Sequence, residues 1–148
     1  MTAGSSWRRA FVGSIDEAVA TARWIDRIAS EQGLSAETLF AVQVCAEELL
    51  TNIVRHGGNP GPRIEVTLSV SADGIELMVE DDGKPFDVAT TPPRRIDQPL
   101  DEIQPGGLGI QLIHSFADRL SYQRAGLGNR VLAAFDRPDA APVALEPS

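Results

Sequence analysis

A single cysteine, Cys45, is all the thiol chemistry this chain has, which removes an internal disulfide and any multi-cysteine metal cluster and fits a reducing compartment. Lysine is equally scarce, Lys84 being the only one, and acidic residues outnumber basic ones 21 to 13 for a formal net charge of -8. An acidic chain with scattered arginines repels a phosphate backbone, so no binding to nucleic acid is expected. No apolar run is long enough for a signal peptide or a membrane span, the opening MTAGSSWRRAFVG included. The expectation is a cytoplasmic protein without membrane contact. A Walker-type GxxxxGK[ST] loop is also missing, since nothing of that form precedes Lys84. No repeat or linker divides the 148 residues, and a chain of that length suits one domain.

What is present is an ordinary globular composition, 43% hydrophobic and 23% charged. Residues 8–13 read as a strand. Ser14 with Glu17 forms a capping-box pattern that opens a helix to about Gln32, ended by Gly33. Ser35 caps a second helix carrying Leu39, Val42, Ala46, Leu49 and Ile53 at helical spacing until Gly57 and Gly58. The alternating stretches 64–70 and 75–80 predict a hairpin, as do 120–124 and 129–135, with a glycine-led helix to about Asp118 before the second pair. Between them, residues 84–105 hold five of the ten prolines and read as a long mobile loop. The core is expected over about 8–135, with 136–148 a disordered tail. The order implies an α+β fold, a mostly antiparallel mixed sheet with its helices on one face.

Three segments carry chemistry: EELLTN at 47–52, DDGKPF at 81–86 and GGLG at 106–109. On a helix, Glu48 and Asn52 stand about 40° apart on one face with Ala41 and Cys45. A carboxylate there can act as general base, and an amide oxygen is a suitable hard ligand for Mg²⁺. Glu47 turns about 100° further away and is the lesser acid. Asp81, at a strand end before Gly83, can accept a hydrogen bond from an exocyclic amine while the glycine lets a flat base approach. Gly106, Gly107, Leu108 and Gly109 open a helix whose free N–H groups can hold phosphate oxygens. His56, His114, Arg23 and Arg27 read as cap, core or solvated surface, and Cys45 as a small filler beside the pocket.

With those residues in place the chain resembles the ATPase superfamily of gyrase, heat-shock chaperone, histidine kinase and mismatch-repair proteins, and within it the anti-sigma-factor serine/threonine kinases. EELLTNIVRHG is similar to their N box, VEDDGKPFD to their first glycine box, and GGLGIQLI with GNRVLAAF to their second glycine box and final strand. Pro85 stands where larger members carry a second glycine, and Pro-Phe suits the small anti-sigma branch. The resemblance implies a Bergerat-type two-layer α/β sandwich binding ATP and Mg²⁺, with the loop 84–105 as lid. It also implies Glu48 as the activating base, Asn52 as the Mg²⁺ ligand and Asp81 as the reader of adenine. Implied partners are a sigma factor, an anti-anti-sigma (STAS-type) protein phosphorylated on serine, and a second copy in a homodimer.

Two classes of function are compatible with these boxes: a Mg-ATP-dependent protein serine kinase, or a non-catalytic module in which ATP orders a regulatory binding surface. Glu48 favours the kinase, because nucleotide binding alone gains little from a carboxylate beside a triphosphate.

Overall fold

A computed structural model describes residues 4–56, 61–83, 107–126 and 128–137. The chain runs through β1 (Ser5–Val12), α1 (Ile15–Gln32), α2 (Ala36–His56), β2 (Arg63–Val70), β3 (Gly74–Asp81), α3 (Gly107–Phe116), β4 (Arg119–Ala125) and β5 (Gly128–Asp136). Sequence and structure agree on the helix boundaries because the caps are local. Ser14 Oγ accepts the Glu17 N–H at 3.1 Å, and Gly33 closes α1 in the left-handed region at φ 70°. Ser35 Oγ accepts the Thr38 N–H at 3.1 Å at the start of α2. The capping box is only half realised, however. The Glu17 carboxylate pairs instead with Arg9 of β1, whose Nε also donates to the buried Thr21 hydroxyl at 3.2 Å and whose guanidinium lies 5.0 Å over the Phe11 ring. That cluster ties α1 to the sheet edge.

The five strands form one sheet in the order β1-β2-β3-β5-β4. Every ladder among the described residues is antiparallel, in line with the mostly antiparallel sheet expected from sequence and without the parallel pair that a mixed sheet would add. Two passes of chain separate β1 from β2 (α1 and α2) and β3 from β5 (α3 and β4). The chain therefore re-enters the sheet at the end it left, and its neighbours run in opposite directions. Ile64, Val66, Leu68 and Val70 of β2, Ile75, Leu77 and Val79 of β3, and Val131, Ala133 and Phe135 of β5 point inward with period two. Against them pack Ile25 and Ile28 of α1, Val42, Ala46, Leu49 and Leu50 of α2, and Ile113 of α3. The opposite face carries the ion pairs Arg8–Glu65 and Arg130–Glu80, so one apolar face meets one helical layer. No helix among the described residues is long and apolar enough to cross a membrane.

Candidate functional site

The inward row at one end of the sheet turns polar. Asp81 ends β3, paired with Ile64 on one side and Asn129 on the other, and Arg124 follows on β4. Asp81 Oδ1 accepts the Gly83 N–H at 2.8 Å and the Asn129 Nδ2–H at 3.0 Å. Asn129 Oδ1 in turn accepts from the Tyr122 hydroxyl at 2.6 Å and from Arg124 Nη1 at 3.3 Å. No hydrogen bond from the described residues reaches Asp81 Oδ2, the second oxygen of the carboxylate. Two glycines make this geometry possible. A Cβ on Gly83 would fall 2.9 Å from Asp81 Oδ1, and one on Gly128 would fall 1.8 Å from the Asp81 carbonyl oxygen. The amide that braces Asp81 can sit where it does only because β5 begins with glycine.

The last turns of α2 lie over the same end. A Cβ on Gly13 would lie 3.5 Å from Val54 of α2 and 3.0 Å from Ile64, the sheet neighbour of Asp81. Glu48 and Asn52 occupy successive turns of this part of α2. Asn52 is 4% exposed, and its Nδ2 has no hydrogen-bond partner among the described residues. Burying an amide without a partner is costly, and such a group on a site-facing turn is suited to a ligand. Glu48 is half-buried and Glu47 exposed, the ranking expected from the helical angles. Burial first, and then the neighbouring Glu47 carboxylate, push the Glu48 carboxyl above the ordinary glutamate range, while Arg55 pulls it partly back.

α3 closes the third side. Its Phe116 meets Phe40 of α2 edge to face at 5.4 Å, and Ile113, one turn earlier, offers its carbonyl to Cys45 Sγ at 3.9 Å. The helices thus run antiparallel, and the trend carries the first turn of α3, with Gly107, Leu108 and Gly109, toward the Glu48–Asn52 turn. Unpaired N–H groups at a helix start suit an anionic group there.

The end of α2 that carries Asn52 thus lies at the same end of the sheet as Asp81 and Gly83, and the direction of α3 points its start toward that end. Gly106 and the expected lid 84–105 lie outside the described residues. Cys45, read from sequence as a small filler, is fully buried in the core. Docking of α3 covers the Ala41–Cys45 part of the face and leaves the Glu48–Asn52 turn. Burial pushes the Cys45 thiol up to about 12, so it is no nucleophile at neutral pH. Asn129, Tyr122 and Arg124 were missed. GNRV invited attention only as a strand, and nothing local in it says that Asn129 pairs with Asp81.

The histidine kinase-like ATPase domain family matches residues 13–135. A serine/threonine-protein kinase BtrW of Bordetella bronchiseptica is 36% identical over 121 residues, covering 78% of this chain and 84% of that protein. A serine-protein kinase RsbW of Oceanobacillus iheyensis is 30% identical over 97 residues, and there the match spans 61% of the relative's length. The crystal structure of the RsbU and RsbW domains of Rv1364c from Mycobacterium tuberculosis superposes with a TM-score of 0.64 at 12% identity, covering 89% of this chain and 32% of that one, a likeness of fold. This chain belongs to the histidine kinase-like ATPase domain family, in its branch of small serine/threonine-protein kinases.

Proposed function

We propose that the chain binds ATP with Mg²⁺ at the Asp81 end of the sheet, phosphorylates a serine of an anti-anti-sigma (STAS-type) partner, and binds a sigma factor as an anti-sigma factor. The observation that carries this reading is the pair on α2: a half-buried carboxylate, Glu48, one turn before a buried amide, Asn52, whose unpaired Nδ2 is a donor that suits a phosphate oxygen. A carboxylate whose proton affinity is raised by burial is a better base than an exposed one, and Glu48 takes the proton that the serine hydroxyl gives up. Asn52 offers an amide oxygen to Mg²⁺. Among the described residues no three His, Cys, Asp or Glu side chains gather as a metal cluster, and Mg²⁺ held by one or two protein groups plus substrate phosphates needs none. Asp81 presents Oδ2 to the adenine amine, Gly83 keeps the approach clear, and the N–H groups of Gly107, Leu108 and Gly109 at the start of α3, with Gly106 next to them in sequence, serve the phosphates. ATP supplies the phosphoryl group and Mg²⁺ neutralises its charge.

The region 8–135 acts in this reading as the ATP-binding unit, the loop 84–105 as its lid, and the protein works in the cytoplasm as a homodimer. The experiment is to incubate the chain with γ-labelled ATP, Mg²⁺ and anti-anti-sigma proteins from the same genome. Label on a partner serine supports the kinase; a partner bound in the presence of ATP but never labelled replaces it with a non-catalytic, ATP-gated binding module.

A further inference from the structure

The polar chain at the end of the sheet continues past the carboxylate. Asn129 is 4% exposed and stands between donors and an acceptor: the Tyr122 hydroxyl and Arg124 Nη1 reach its Oδ1, and its Nδ2 reaches Asp81 Oδ1. That arrangement fixes which way the amide faces. Turned over, it would set its NH₂ against two donors and its oxygen against a carboxylate. Nδ2 also lies 3.5 Å from the Gly83 carbonyl, so the same amide spans the two residues that flank the expected base.

We propose that Asn129, held in one orientation by Tyr122 and Arg124, is the positioning residue that gives Asp81 its selectivity for a 6-aminopurine over a 6-oxopurine. With Oδ1 occupied by two N–H donors, Asp81 turns a single oxygen, Oδ2, toward the ligand. An acceptor fixed in this way takes an amine N–H and opposes a carbonyl oxygen. Were the carboxylate free to rotate, it could swing away from a carbonyl and discrimination would fall. Tyr122 and Arg124 act at one remove, since they touch Asn129 and not the carboxylate. The inference rests on the reading of Asp81 as the group that recognises the base.

The test measures dissociation constants for ATP and inosine triphosphate, with Mg²⁺, for the parent, Asp81→Asn, Asn129→Ala and Tyr122→Phe. The parent should prefer ATP. Loss of a hydrogen bond to a charged group is commonly worth about tenfold or more, so Asn129→Ala should weaken ATP by about that factor while leaving inosine triphosphate within about twofold. Tyr122→Phe should shift the ratio in the same direction by less, because Arg124 remains. A purely structural role would weaken both nucleotides together. If Asn129→Ala does not fold, Tyr122→Phe decides: a lowered ratio supports the inference and an unchanged ratio overturns it. If the parent prefers ATP and Asp81→Asn abolishes the preference while Asn129→Ala keeps it, this inference alone fails. If the parent shows no preference, the reading of Asp81 fails and this inference with it.

Discussion

Replacing Gly128 by alanine should damage the protein at one place, the rung where β5 meets the end of β3. The added Cβ would lie 1.8 Å from the Asp81 carbonyl oxygen, 2.8 Å from its carbonyl carbon and 2.9 Å from Asp82 Cα. All three are backbone atoms, so no rotamer change relieves the clash. Reaching the ~3.5 Å of ordinary contact requires the strands to part by roughly 1.7 Å, and the Asp81↔Asn129 rung has to open. Overpacking of this kind costs about 1–3 kcal/mol, and a lost hydrogen bond adds about 1 kcal/mol. A destabilisation of about 2–4 kcal/mol corresponds to a fall in Tm of roughly 5–15 °C for a domain of this size. Because the rung also holds the Asn129 amide on Asp81, ATP should stabilise the variant much less than it stabilises the parent. Gly33→Ala is the control: that residue has φ 70° and nothing within 4 Å of its Cβ, so about 1–2 kcal/mol of left-handed strain should appear with nucleotide binding intact. Thermal melts with and without Mg-ATP read both. A Gly128→Ala protein as stable as the parent and equally stabilised by ATP would refute the reasoning.

Cys45 is fully buried with its thiol pushed up to about 12, so the folded protein should resist iodoacetamide at pH 8 and be labelled at the rate at which it opens; rapid labelling of folded protein would contradict the packing of α3 on α2. The acid limb of the phosphotransfer rate should lie above the ordinary glutamate range, because the base must lose its proton and burial and Glu47 hold that proton on Glu48. Glu47→Gln should move the limb to lower pH and Arg55→Gln to higher pH, and a limb unmoved by both would remove Glu48 from that role. The linked stability has the opposite sign: a raised carboxyl favours the folded state at low pH, and that contribution is lost as pH rises through the folded pKa. Asn52→Ala should weaken Mg-ATP binding and phosphotransfer together, since it removes the proposed Mg²⁺ ligand; nucleotide affinity unchanged in calorimetry would move the Mg²⁺ site elsewhere.

Much of the frame was legible because its determinants are local. Ser14, Gly33 and Ser35 act on their own neighbours, and the alternation in 64–70 and 75–80 needs only the pleat of a strand. Glu48, Asn52, Asp81 and Gly83 could be read for the same reason: each pair sits within four residues. What stayed hidden depends on pairings between distant parts of the chain. Asn129 meets Asp81 across 48 residues, and no composition or period states that register. Burial of Cys45 follows from α3 settling on α2, 68 residues away in sequence. Glu17 was spent on Arg9 rather than on its own helix because β1 and α1 pack face to face.

The most direct measurement of the central claim is phosphoserine formed on the bound anti-anti-sigma partner, followed by mass spectrometry for the parent and for Glu48→Gln. Glutamine keeps size and hydrogen bonding but cannot take the proton, and general-base help is commonly worth about 10²–10⁴-fold, so the rate should fall by that order. ATP affinity should hold or improve, because a carboxylate facing a triphosphate repels it. A Glu48→Gln protein that phosphorylates its partner at the parent rate would contradict the account.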